Sequence, residues 1–491
     1  MRSSLEIEEI FLDKAKELEM QKPLNKKRLV FLYFFIFFCL SALLARISYL
    51  QIVKGGYYQK IAEENRIRIE SIPSLRGIIY DIKGQRLVNN ALNAKERLIR
   101  QYVDGLISAH IIGYTNSENK GQTGLELIYE NYLKGQDGKK RIEVDALGKN
   151  HRIIASQEPL AGNNLILNLD FDLQKKLYQT LPEAPSAGII LDSKTGGVLA
   201  LVSKPSFDNN LFSQGVSETD YQNLIQDPQK PLFNRAISGQ YPPGSTIKPL
   251  IAAAALEENI IDHAQEINDL PYLQIRNQYN PDIIYKFPDW KDHGQVNMIK
   301  AIKESCNVYF YQVGEKLGWR NFQKYAKLFN LGNILGIDLA NEAYGYAPKD
   351  GWLGDLYHTV IGQGDLTATV LQIASATAAI ANNGKLYQPQ VVDKIVDSDN
   401  NLIKDILPKI LKSNFIKEEN LKIIQQGMDQ GVEHGKTGTA QFGSDKSKYH
   451  AWYTSYKDNL VITILVEQGV SGQQTALPIA REIYKWYYSN Q

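Results

Sequence analysis

The stretch YPPGSTIKP, residues 241–249, sets two prolines and a glycine before a serine, and a lysine follows three residues later. Pro242, Pro243 and Gly244 end whatever element precedes them. The apolar run LIAAAALE behind them predicts a helix over 249–258. Ser245 therefore falls at a helix start with Lys248 one turn on, about 5–6 Å away between Cβ atoms. Two readings of Ser245 stand side by side. It can be an ordinary N-cap, a common place for serine. It can also be a nucleophile, with a neutral Lys248 taking its proton and the helix start favouring the charge that develops.

One known set of serine enzymes uses S-x-x-K together with S-D-N and K-T-G, and here the literal matches mislead. Each of the three motifs occurs twice or has a close double, and context separates them. SENK, 117–120, lies in a polar stretch and reads as a solvated loop; the apolar flank of STIK is absent there. SDN, 398–400, sits among five polar residues between two apolar runs, which is a hairpin turn. SCN, 305–307, lies inside AIKESCNVYFYQV, where apolar neighbours force its Ser and Asn to find partners. KTG at 194–196 joins two apolar strands as a turn. KTG at 436–438, in HGKTGTAQFG, precedes the terminal hairpin, where a strand edge offers backbone and hydroxyl donors and Gly438 allows close approach. Ser245, Ser305 and Lys436 form the working set; Ser117, Ser398 and Lys194 are the doubles.

These motifs resemble class B penicillin-binding proteins, nearest to the elongation type. The resemblance extends to LRGIIYDIKGQRL, HIIGY…GLELIYENYLKG, GIILDSKTGGVLALVSKPSFD, NRAISGQYPPGSTIKPL, IGQGDLTATVLQ and GKTGTAQ, in the family order. It implies an α/β fold: a serine transpeptidase (penicillin-binding/β-lactamase-like) domain whose antiparallel sheet is flanked by helices, behind a mixed α+β pedestal and one transmembrane helix. It further implies that Ser245 is acylated by the D-Ala–D-Ala end of a peptidoglycan stem peptide, with Lys248 as base. Ser305 would relay a proton and Asn307 would hold Lys248 and the substrate amide. Lys436, Thr437, Gly438 and Thr439 would bind the terminal carboxylate, and the N–H groups of Ser245 and Thr439 would form the oxyanion hole. β-Lactams would acylate the same serine. A membrane-embedded glycan polymerase of the SEDS family is the implied partner. The family usually carries a long head insertion after its R-G-x-I-Y-D motif, whereas residues 89–110 leave space for only a short connection.

Composition agrees. Net charge is +1, which gives no reason to expect a nucleic-acid partner. Cys39 and Cys306 are the only cysteines and build no disulfide framework. The run LVFLYFFIFFCLSALLA, 29–45, has no charge and extends through Leu50, so it predicts a membrane helix over 29–50 rather than a cleaved signal. Lys22, Lys26, Lys27 and Arg28 crowd its N-terminal flank, placing 1–28 in the cytoplasm and the rest outside. Ile7, Ile10, Phe11 and Leu18 can line one face of a short cytoplasmic helix. The pedestal is expected over 51–165 and the transpeptidase domain over 166–491, its sheet completed by distant hairpins at 187–203 and 450–467.

Cys306 has two readings. Asp289, His293 and Cys306, with Asp282 as a fourth ligand, suit structural zinc, as in some members of the family; the other reading is a buried free thiol. The chemistry itself calls for no metal. A division-type role within the same class, a penicillin sensor or β-lactamase, a carboxypeptidase and a silent scaffold are the competing functions. The pedestal opposes the sensor, and the intact Ser245, Lys248, Ser305, Asn307 and Lys436 oppose the scaffold.

Overall fold

A computed structural model of the chain describes residues 26–490 except 94–95, 146–148, 278 and 444–447. The stripe of Ile7, Ile10, Phe11 and Leu18 lies outside the described residues. Two compact units emerge: residues up to Ile72 together with Gly138–Glu158, and Pro73–Asp137 together with Pro159–Gln491.

In the first unit, a single apolar helix runs over Lys26–Val53 with mean hydropathy 2.3 and none of its apolar window buried. Its 28 residues span about 42 Å, more than the roughly 30 Å of bilayer hydrocarbon. A three-stranded antiparallel sheet follows, ordered Ile67–Ile72, Gly138–Val144, Asn150–Gln157. The strand Asn150–Gln157 was not expected, and every residue in it is exposed, so no buried face stamps a period of two on its sequence.

The second unit holds the sheet that matters for chemistry. Its strands are β1 (Ser186–Asp192), β2 (Val198–Lys204), β3 (His434–Phe442), β4 (Lys448–Lys457) and β5 (Leu460–Val466). They are ordered β3-β4-β5-β1-β2, all antiparallel. The two hairpins read from sequence thus close into one sheet, and every residue of the central strand β5 is buried. Four helices frame it: α1 (Lys248–Glu257), α2 (Asn307–Leu328), α3 (Leu353–Val360) and α4 (Val370–Ala381). Helix α4 packs on β1, β4 and β5. The helices Phe171–Thr180 and Leu477–Ser489 bury Leu173, Leu177, Ile483 and Tyr484 in a separate apolar layer with β5 residues.

A second sheet, of six strands, places Ile79–Tyr80, Arg86–Leu92 and Leu98–Tyr102 beside Asn164–Leu167, Val392–Val396 and Leu402–Asp405. By packing, then, residues 73–137 go with the transpeptidase segment, and position 165 lies inside a strand of this sheet rather than at a packing boundary. The segment GLELIYENYL forms two short helices, Gly124–Ile128 and Glu130–Leu133. Leu125 and Leu133 are buried, Ile128 is exposed and Tyr129 takes an inward place, its hydroxyl donating to Asp338 at 2.9 Å.

Candidate active site

Ser245 lies within a single 3-10 turn, Gly244–Ile247, and α1 proper starts at Lys248 with Pro249 in its first turn. No side-chain capping bond forms at either start, so the N-cap reading of Ser245 is corrected. Gly244 opens the turn with φ +56°, which a glycine adopts without strain.

The turn is wedged between glycines. A Cβ on Gly438 would come within 2.8 Å of the Pro243 carbonyl oxygen, and one on Gly362 within 2.0 Å of the Gly244 oxygen. A Cβ on Gly472 would meet the Gly438 oxygen at 2.5 Å. The Gly244 N–H donates to the Gly362 oxygen at 2.8 Å, and Trp452 Nε1 donates to the Pro242 oxygen at 3.0 Å. Thr439 backbone atoms lie 3.2–3.3 Å from a Cβ placed on Gly244. The serine turn and the K-T-G strand β3 are therefore in backbone contact.

Lys248 is fully buried. Its Nζ donates to the Ser305 carbonyl oxygen at 2.6 Å and to Asn307 Oδ1 at 2.7 Å, with Ser305 Oγ at 3.4 Å. Among the described residues Ser245 is not one of its hydrogen-bond partners. Lys436, also buried, donates to Ser305 Oγ at 2.8 Å and to the Thr437 carbonyl oxygen at 3.1 Å. Ser305 Oγ thus sits between two lysines. Burial drives the Lys248 ammonium down to about 8, against the opposing pull of Asp289, Cys306 and Asp269. Burial, and then the neighbouring Lys248, hold Lys436 well below its ordinary value. Two ammonium groups sharing one dry hydroxyl disfavour each other's charge.

The S-x-N corner has its own local cause. Ser305 ends the helix Met298–Glu304 in the left-handed region, φ 60° and ψ 37°, and α2 starts at Asn307. The Asp289 carboxylate accepts the N–H of Asn307 at 2.5 Å and of Val308 at 2.9 Å, satisfying the orphan donors of α2. Asp289 was read as a metal ligand; the structure makes it the cap that fixes Asn307. The Asp/His/Cys cluster is instead Asp269, His293 and Cys306, all buried, with ligand atoms within 4.8 Å of one another. Asp282 is exposed and takes no part. His293 Nδ1 lies 2.5 Å from an Asp269 carboxylate oxygen, both side chains fully buried, while the other Asp269 oxygen and His293 Nε2 are buried without hydrogen-bond partners. Burial and the Asp289 charge raise the Asp269 carboxyl to about 6, and burial raises the Cys306 thiol. Converging buried O, N and S ligand atoms of this kind fit a zinc ion.

On β3, Thr437 is half-buried and Thr439 exposed. Thr439 Oγ accepts the Gly472 N–H at 3.1 Å, and Gln363 Nε2 reaches the Thr439 oxygen at 3.4 Å. Every working residue read from sequence, Ser245, Lys248, Ser305, Asn307, Lys436, Thr437, Gly438 and Thr439, belongs to this cluster of α1, α2 and β3. The doubles do not: Ser117, Ser398 and Lys194 are all exposed. Sequence reasoning missed the roles of Asp269, Gly362 and Gly472. Gly362 lies within the family-like IGQGDL; Gly472 opens the π-helical turn Gly472–Ala476, which has no motif of its own.

Known proteins resemble this chain along most of its length. The penicillin binding protein transpeptidase domain matches residues 187–485, and the penicillin-binding protein dimerisation domain matches 91–167. The chain is 30% identical to the peptidoglycan D,D-transpeptidase MrdA of Haemophilus influenzae, over 98% of this chain and 94% of that one. A crystal structure of Pseudomonas aeruginosa PBP2 in complex with WCK 5153 superposes with a TM-score of 0.74 at 27% identity, over 86% of this chain and 96% of that one. A peptidoglycan synthase complex, described for coordination of polymerization and crosslinking, contributes a chain with TM-score 0.76 and 26% identity, covering 95% of this chain and 99% of its own.

Proposed function

The chain belongs to the penicillin-binding protein transpeptidase family, and from that premise we propose how its residues divide the work of a serine-type peptidoglycan D,D-transpeptidase of the elongation type. The observation that carries the assignment is the Ser305 hydroxyl held between buried Lys248 and Lys436.

Ser245 Oγ attacks the D-Ala–D-Ala carbonyl and its proton passes to the neutral Lys248 amine. With a value near 8, Lys248 carries a usable neutral fraction near pH 7. In the apo geometry its amine is held by Ser305 and Asn307; substrate draws it toward Ser245, as catalytic hydrogen bonds tighten in the complex. The N–H groups of Ser245 and Thr439 receive the oxyanion, each such donor contributing about 3–4 kcal/mol to lowering the barrier. The tetrahedral adduct expels D-Ala, whose nitrogen takes a proton through the Ser305 hydroxyl. The amine of a second stem then attacks the acyl carbonyl and frees Ser245. Lys436 and the Thr437 and Thr439 hydroxyls bind the terminal carboxylate, and the arriving anion restores the Lys436 charge.

Asp269, His293 and Cys306 would hold a structural zinc, with Asp289 the nearest further carboxylate. Such an ion would fix the Ser305–Asn307 corner and supply no step of the reaction. Elemental analysis of the purified protein tests this: about one zinc per chain is expected, and none would end it. Residues 51–165 serve as the pedestal segment and 166–491 as the transpeptidase segment, with 73–137 packing alongside the latter. The N-terminal helix anchors the chain in the plasma membrane with the Lys/Arg flank inside. A SEDS-family polymerase in the same membrane supplies the glycan that this enzyme cross-links. Covalent labelling by a fluorescent penicillin tests the central assignment: label on wild type and none on Ser245→Ala is expected.

A further inference from the structure

A cavity of about 620 Å³ lies between the antiparallel hairpin Tyr272–Arg276/Ile284–Pro288 and the N-terminal end of α3. Its base is rigid. Phe287 packs edge-on against Tyr357 at 4.8 Å between ring centroids, and the Tyr357 hydroxyl donates to Glu315 at 2.6 Å. Its other aromatic walls are open to water: Trp352 is 75% exposed and Tyr285 47%. Arg276 lines the same cavity, is exposed, and has no ion-pair partner among the described residues. Leaving large rings in water forfeits apolar burial, so an exposed aromatic cavity of this size marks a ligand or partner site.

The cavity is tied to the serine on both sides. Its hairpin wall runs through Pro288 into Asp289, which caps Asn307. Its α3 wall runs through eight residues and then Gly362, whose carbonyl holds Gly244. Eight helical residues span about 12 Å. A stem of about five residues, fully extended, spans roughly 17 Å. With its D-Ala end at Ser245, the sugar end of a stem can reach this cavity.

We propose that this cavity is a subsite for the amino-sugar ring that carries the stem peptide, stacked on Trp352 and Tyr285, with Arg276 meeting a free carboxylate near the sugar end of the stem. Open aromatic faces suit the C–H face of a sugar ring, and an unpaired guanidinium suits a carboxylate. The inference rests on the transpeptidase reading and names a part of its substrate that the serine cluster does not contact.

Binding is measured with the full-length chain in detergent, in the Ser245→Ala background so that no turnover occurs. The probes are a disaccharide-pentapeptide and the same pentapeptide without sugar, each titrated by calorimetry. The sugar is expected to tighten Kd about tenfold. Trp352→Ala is expected to erase most of that advantage and Trp352→Phe, which keeps a ring, to retain it, whereas Arg276→Gln, facing a carboxylate that both probes carry, is expected to weaken both alike. Equal Kd for the two probes, or an advantage that survives Trp352→Ala, overturns the proposal and assigns the aromatic face to a protein partner instead. Failure of the transpeptidase reading would show separately, as wild-type Ser245 that takes no penicillin.

Discussion

The chain spells its catalytic words more than once, and the copies differ in what surrounds them. Lys436-Thr437-Gly438 runs along β3 with Lys436 buried against Ser305. Lys194-Thr195-Gly196 turns between β1 and β2; Lys194 is exposed, its N–H is held by the Asp192 carboxylate at 2.7 Å, and Gly196 has φ +77°. The first copy keeps a lysine dry, which shifts its proton affinity. The second leaves its lysine in water, where it serves as a turn residue. Burial and neighbours are what separate the two copies, since the letters are the same.

The sharpest break of that comparison is at the nucleophile. Ser245→Ala is expected to lose all covalent penicillin labelling while retaining a cooperative thermal transition. Persistent labelling of that variant would sink the assignment. Next comes Lys248→Met, which removes the base but leaves an apolar chain of similar length; acylation is expected to slow about 10²–10⁴-fold. In the proposed role, Lys248 is protonated at low pH and can act as a base only as pH rises through its lowered value of about 8. Acylation by penicillin is therefore expected to climb about tenfold per pH unit below 8 and to level off above it. A flat profile between pH 6 and 8 would remove Lys248 as base. Ser305→Ala should slow acylation by less, since both lysines remain; stopped-flow labelling measures the difference.

Much of this was legible. The three working motifs, both hairpins of the sheet and the apolar span were readable because each carries a local signal: periodicity, a glycine turn, an uncharged run. What stayed hidden depends on distant segments meeting. Asp289 looked like a metal ligand because Asp, His and Cys are zinc-binding types, yet its carboxylate is spent on the N–H groups of Asn307 and Val308. Asp269, in a short strand pairing Ile267–Asp269 with Gly294–Val296, takes its place beside His293, and pairing between short, separated strands leaves little mark on a single sequence. Gly362 was noticed only as part of a family-like phrase; that its carbonyl supports the serine turn is a contact between residues far apart in the chain. Gly362→Ala accordingly should cripple labelling, because the added Cβ would fall 2.0 Å from the Gly244 oxygen and the backbone there is at φ +79°.

The smallest effects belong to the doubles. Ser398 is exposed in the turn between Val392–Val396 and Leu402–Asp405. That turn is held by its neighbour: Asp397 Oδ1 accepts the N–H of Asp399 at 2.9 Å and of Asn401 at 2.8 Å. Ser398→Ala is therefore expected to change stability by no more than about 0.5 kcal/mol and labelling not at all. Asp397→Ala, one residue away, should cost about 1 kcal/mol through the lost turn bonds while labelling of the folded protein persists. Thermal melts and penicillin labelling run on the same samples separate the two. If Ser398→Ala slowed labelling as Ser305→Ala does, the copy in the turn would have a catalytic part, and burial would no longer be what distinguishes the working motif from its double.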